Sequence, residues 1–151
     1  MSDAPFPPHA HPFRMIDVVL ELERERCTTV KSVSADEVVR DDPEATAGCY
    51  PLSLLAEAMA QAAVPLGGIA DGDPARAAPE GPSGRGVLAG IDRLRLLRPV
   101  RPGDRLLITA TVLGRQGALL RIRSVAERAD APAEEGRVAE GEFTIVVEES
   151  A

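Results

Sequence analysis

Aromatic residues are scarce in this chain of 151 residues. There is no tryptophan, one tyrosine and three phenylalanines, 3% in all, so the core must be built from Ala, Val, Leu and Ile. Lysine is scarcer still: Lys31 is the only one among 17 basic residues. Against them stand 24 acidic residues, and the formal net charge of −7 argues against nucleic acid as the main partner. Cysteine occurs twice, as Cys27 and Cys49, and neither lies at metal-ligand spacing from a histidine. That speaks against a disulfide scaffold and a zinc site and fits a reducing, cytoplasmic compartment. No apolar run reaches the roughly 18 residues of a membrane span, and no basic start leads into an apolar leader, so no membrane span is expected. No metal or other cofactor is expected.

What is present fits one globular domain over residues 1–151, with 44% hydrophobic residues. Its organising stretch is Tyr50 to Gly68, YPLSLLAEAMAQAAVPLGG. Between Leu52 and Val64 every residue except Ser53, Glu57 and Gln61 is Leu, Ala, Met or Val, the pattern of a helix enclosed by protein. Pro51 suits the first turn, and Pro65 with Gly67 and Gly68 supplies the stop, which predicts one helix over 51–66. Spacings of four put Ser53, Glu57 and Gln61 on one stripe. A carboxylate there must be paired, protonated or used, because burying it ionised and alone costs several kcal/mol.

Before the helix, Val18 to Leu22 and Cys27 to Val33 read as two strands, with the charged Glu21 to Arg26 making the turn between them. Ser34 to Cys49 is a polar loop whose acidic residues, Asp36, Glu37, Asp41, Asp42 and Glu44, read as solvated surface. After the helix, Ala70 to Arg85 holds three prolines and three glycines and cannot form a regular element, so it is a linker or a flap over a pocket. Four strands follow, over Val87 to Val100, Leu106 to Leu113, Ala118 to Val125 and Val138 to Val147, with antiparallel turn chemistry between them. The order of two strands, a buried helix and four strands predicts an α+β fold in which an antiparallel sheet wraps the helix. Such a sheet leaves one flank of the helix open, and a second copy is its natural cover, so a homodimer is expected. Arg93 and Arg95 fall on one strand face and Arg98 on the other; they suit either an anionic partner or ion pairs with Glu140 and Glu142.

These residues carry a resemblance to the hot-dog-fold 3-hydroxyacyl-acyl carrier protein dehydratases of the FabZ type, and it covers nearly the whole chain. The family's opening motif is matched by Pro8, His9, Pro12, Phe13 and Asp17, and its helix motif by Glu57-Ala58-Met59-Ala60-Gln61. Its strand start is matched by Leu88-Ala89-Gly90-Ile91-Asp92, and its turn by Arg98-Pro99-Val100-Arg101-Pro102-Gly103-Asp104. The resemblance implies a hot-dog fold and a dimer, with an acyl carrier protein or coenzyme A thioester as the bound partner. It also implies that Glu57, contributed across the subunit interface, handles the leaving 3-hydroxyl, with Gln61, Ser53, Leu52 and Gly90 as substrate-binding residues. In the family a histidine in a Gly-His-Phe-Pro stretch removes the α-proton, and N–H groups at the helix start polarise the thioester carbonyl.

The sequence departs from that pattern at two places. Counted back from Glu57 without gaps, the histidine stretch falls on Asp42-Pro43-Glu44-Ala45, so Pro43 stands where the base belongs. The family's Met-Pro-Gly before the helix is Tyr50-Pro51-Leu52. Three readings stay open. One is a divergent dehydratase whose base is Asp42, Glu44, His9 or His11. A second is a non-catalytic acyl-thioester binder, alone or as partner subunit of a histidine-bearing hot-dog chain. The third is a hot-dog thioesterase that uses the helix carboxylate to activate water.

Overall fold

The computed structural model describes residues 13–37, 48–67 and 84–149. Two strands come first, β1 (Val18–Leu22) and β2 (Arg26–Ser32), followed by a single 3-10 turn at Ala35–Glu37. Helix α1 (Leu52–Gln61) and the short α2 (Val64–Gly67) lead to β3 (Gly84–Leu96), β4 (Arg105–Gln116), β5 (Leu119–Arg128), the one-turn α3 (Ala133–Gly136) and β6 (Arg137–Glu149). The strands form one six-stranded sheet in the order β1-β2-β4-β5-β6-β3, and every neighbouring pair is antiparallel. This is the expected α+β arrangement, with α1 lying against β3, β4 and β5.

Alternation along the strands explains why the sheet holds the helix on one face. Leu106, Ile108 and Ala110 of β4, Leu120, Ile122, Ser124 and Ala126 of β5, and Phe143 and Ile145 of β6 are buried at every second position. They meet Leu55, Ala56, Ala58, Met59 and Ala60 of α1 in a single core, in which Phe143 is the largest fully buried side chain. The alanines let the helix come close enough for the Ser124 hydroxyl to donate 3.1 Å to the Met59 carbonyl. On the opposite face, Arg93 and Arg121 flank Glu142 at 3.9 and 3.2 Å, and Arg95 and Arg123 flank Glu140 at 3.9 and 3.6 Å. Arg93 and Arg95 therefore take the ion-pair role, whereas Arg98 donates 2.8 Å to the Arg137 carbonyl. Arg93 sits at a bulge between Asp92 and Arg95 with φ of 55°, and the extra residue there presses Leu94 onto Gly141. A Cβ on Gly141 would lie 3.1 Å from Leu94 Cδ1, which is why glycine stands there.

Three expectations are corrected. The helix over 51–66 is two pieces, broken at Ala62 and Ala63, because Pro65 has no N–H for the Gln61 carbonyl and its ring crowds that carbonyl. Ala63 and Leu66 instead donate to carbonyls three residues back, Ala60 and Ala63, at 3.1 and 3.0 Å. The gap between the strands expected over Leu106 to Leu113 and Ala118 to Val125 shrinks to Gly117-Ala118, with Gly114 to Gln116 continuing β4 past a register shift. Gly84 and Arg85, read as the end of an irregular segment, begin β3. The rest of that segment, residues 70–83, lies outside the described residues, as do His9, His11, Asp42, Pro43 and Glu44.

Candidate functional site

Helix α1 brings Glu57 and Gln61 together through its four-residue spacing, and Gln61 Nε2 donates 2.8 Å to Glu57 Oε1. Gln61 is 1% exposed, whereas Glu57 is half-buried, so the pair reaches from the core toward the surface. The remaining polar atoms of the Gln61 amide are spent on the N-terminal segment. Nε2 also donates 2.8 Å to the Phe13 carbonyl, and Oε1 accepts 2.8 Å from the Met15 N–H. Gln61 therefore meets protein on all sides. Nothing local in the sequence announces this contact across more than forty residues.

The helix start lies one turn from Glu57. Pro51 caps it in an extended conformation and offers no side-chain acceptor to the first-turn N–H groups. Leu52 and Ser53 are exposed there. Gly90 lies on β3, the outermost strand on its side of the sheet, paired with Thr144. A Cβ at Gly90 would come no nearer than 3.9 Å to Thr144, so packing within this chain leaves room for a side chain there.

A small, largely apolar cleft, with enclosed room for about one water molecule, lies at the other end of the helical segment. Ala63, Val64 and Gly67 form one wall and Gly86, Leu120, Ile145 and Val147 the other. Arg115 donates 3.0 Å to the Leu66 carbonyl close by, a cation at a helix C-terminus.

Beneath the helix start, the one lysine has a position that composition concealed. Lys31 alternates with Cys27 and Thr29 on the buried side of β2, pairs with Glu37, and lies 5.6 Å from the centre of the Tyr50 ring. Glu37 also accepts from the Ser34 N–H at 2.9 Å and the Ser34 hydroxyl at 3.2 Å. Burial pushes the Glu37 carboxyl up, but the Lys31 bond and charge and the Ser34 bonds outweigh it and hold the group below its ordinary value. Burial, helped by the charges of Glu37 and Asp17, pushes the Tyr50 phenol well above its usual range, so Tyr50 stays neutral. Glu37, expected as solvated surface, is thus part of an anchored pair. Among the described residues no group of three or more histidine, cysteine, aspartate or glutamate side chains could hold a metal ion, and no helix is long and apolar enough to cross a membrane.

An antiparallel sheet wrapped on one central helix defines the hot-dog class. A solved structure of that architecture, the dehydratase heterocomplex ApeI:P from Xenorhabdus doucetiae, matches with a TM-score of 0.73 over 96% of this chain and 89% of that one, at 18% identity. No family model matches the chain. Two curated relatives, both named 3-hydroxyacyl-[acyl-carrier-protein] dehydratase FabZ, do. The one from Symbiobacterium thermophilum is 43% identical over 100 residues, 66% of this chain and 65% of the relative, just under two thirds of its length. The one from Paracidovorax citrulli is 34% identical over 132 residues, 87% of each chain. The chain belongs to the FabZ family.

Proposed function

We propose that this protein binds 3-hydroxyacyl thioesters of acyl carrier protein or coenzyme A in fatty-acid or polyketide metabolism, and that Glu57 supplies the acid for their dehydration. The observation that carries this is the half-buried Glu57, bonded to Gln61, one turn from a helix start whose Pro51 cap makes no side-chain hydrogen bond. Dehydration requires a proton for the departing 3-hydroxyl, a base for the α-proton, and donors for the carbonyl on which charge develops. Glu57 serves the first need. The N–H groups around Leu52 and Ser53, which receive no side-chain cap from Pro51, serve the third, with the thioester reaching them past Gly90. The acyl tail lies over the largely apolar cleft between Val64 and Val147, whose lining side chains are all apolar. No metal or other cofactor is required by these roles.

The base decides between two forms of the activity. The sequence holds no histidine after His11, and a gapless count back from Glu57 puts Pro43 at the family's histidine position. In one form Asp42 or Glu44 takes the α-proton within a homodimer. In the other, favoured by that absence of histidine, the chain joins a histidine-bearing hot-dog relative, and its Glu57 completes the site in the partner. Both forms call for a second subunit on the free edge of β3, where Val87, Leu88 and Ile91 are exposed. A cytoplasmic setting agrees with two unpaired thiols, Cys27 and Cys49.

The test is mass spectrometry of short 3-hydroxyacyl thioesters incubated with the protein alone and mixed with a histidine-bearing FabZ chain. Water loss by the protein alone supports the first form, and water loss in excess of the second chain's own rate supports the other. Hydrolysis would assign a thioesterase. Retention of intact thioester under both conditions would make it a binder and remove Glu57 from catalysis.

A further inference from the structure

The Gln61 amide is oriented by two groups that leave it no choice. A backbone N–H can only donate and a backbone carbonyl can only accept, so the Met15 N–H, 2.8 Å away, requires Oε1, and the Phe13 carbonyl, 2.8 Å away, requires Nε2. The second Nε2 hydrogen then points at Glu57 Oε1, at 2.8 Å. At 1% exposure no water competes for these bonds. Glu57 Oε1 is therefore held as an acceptor and cannot carry a proton toward Gln61.

We propose that Gln61 is a positioning residue that occupies one carboxyl oxygen of Glu57 and leaves Oε2 as the sole oxygen that exchanges a proton with substrate. The proposal deepens, and rests on, the reading of Glu57 as the acid of the site. It also gives the Phe13 to Met15 segment a purpose. This strap fixes the amide from behind, and the Tyr50 hydroxyl, 3.8 Å from Met15 Sδ, holds the strap against the helix start. The carboxylate is thus aimed by three separate parts of the chain.

Two variants of the full-length protein and one measurement on the wild type test this. In the wild type, both side-chain amide protons of Gln61 exchange with solvent at least about tenfold more slowly than those of an exposed glutamine, read by NMR. Gln61→Leu releases Glu57, and kcat for water loss falls by about 10²-fold with KM little changed, the cost of a misplaced group. Gln61→Glu keeps an acceptor for Met15 but presents a carboxyl to two acceptors, Phe13 O and Glu57 Oε1. It is tolerated only when protonated, so its turnover and melting temperature, relative to wild type, decline together as pH rises. Amide protons exchanging at the rate of an exposed side chain would overturn the proposal without reference to any substrate. So would wild-type kcat per folded molecule in Gln61→Leu, or a pH-independent ratio in Gln61→Glu. Slow amide protons and the pH-dependent melting of Gln61→Glu, found without water loss from any thioester, would instead defeat the functional reading and leave the fixed Glu57 oxygen in place.

Discussion

Lys31 and Glu37 form an ion pair beneath the ring of Tyr50, the residue that precedes the N-cap of the central helix. The lysine side chain is 5% exposed and the glutamate 24%, so most of the pair is withdrawn from water. Its partners come from β2 and from the turn that leads toward residue 38, and Tyr50 donates its N–H to the Val100 carbonyl at 2.7 Å. The start of α1 is therefore seated on a charged pair and tied to the β3–β4 connection.

Breaking that pair from the glutamate side leaves a buried ammonium without its counter-ion. Glu37→Gln is expected to cost about 3 kcal/mol, near the value for a buried pair that loses one partner. Because the folded-state pKa of Glu37 is depressed, its contribution is present above the ordinary carboxylate range and is lost as pH falls through the folded value. Urea unfolding of wild type and Glu37→Gln at neutral and acidic pH should show the gap between them closing as pH falls. A gap that is constant with pH would place the effect in packing.

Glu57→Gln is expected to fold as the wild type does, since its amide oxygen can still accept from Gln61 Nε2. The substituted side chain has no acidic proton for a leaving hydroxyl, so turnover drops by roughly 10²–10⁴-fold, the worth of one positioned acid or base. Full turnover in a correctly folded variant would reduce Glu57 to a structural role.

In the apolar cleft, Gly86 is a limit on size. A Cβ there would lie 3.3 Å from Ile145 Cγ2, tight enough to push that side chain or narrow the cleft. Gly86→Ala should reduce kcat/KM for the longest accepted acyl chain by about 10–200-fold, the range associated with one methylene in a hydrophobic pocket, while shorter chains are spared. An equal loss for all chain lengths would mean that the tail lies elsewhere.

The two thiols should behave differently. Burial pushes the Cys27 thiol up to about 12 and no part of it is exposed, whereas Cys49 is partly exposed. Thiol titration with a disulfide reagent near pH 8 is expected to count one reactive group in the native protein and two after unfolding. Rapid reaction of both in the native state would show that the β2 side of the core opens readily.

The architecture could be read from the chain because strand alternation and an apolar helix are local patterns, and Glu57 with Gln61 followed from their spacing on that helix. Pro65 carried its signal as well, but as a break in the helix rather than its end. The role of Lys31 escaped because its partners, Glu37 and Tyr50, become neighbours only when the turn and the helix start fold over β2. The contacts of Gln61 with Phe13 and Met15 escaped for the same reason: a backbone N–H and carbonyl carry no sequence mark of what they will bond.

The segment containing α1 and α2 is fastened at both ends by backbone polar groups. At its start the Tyr50 N–H bonds the Val100 carbonyl, five residues ahead of β4, and at its end the Leu66 carbonyl accepts from Arg115, the penultimate residue of β4. Strand β4 and its approach therefore act as a ruler laid along the helix. Removing one residue from β4 would turn its later side chains to the opposite face and withdraw the Arg115 anchor. How far along its axis Glu57 stands is consequently gauged by a strand that contributes no side chain to the Glu57–Gln61 network.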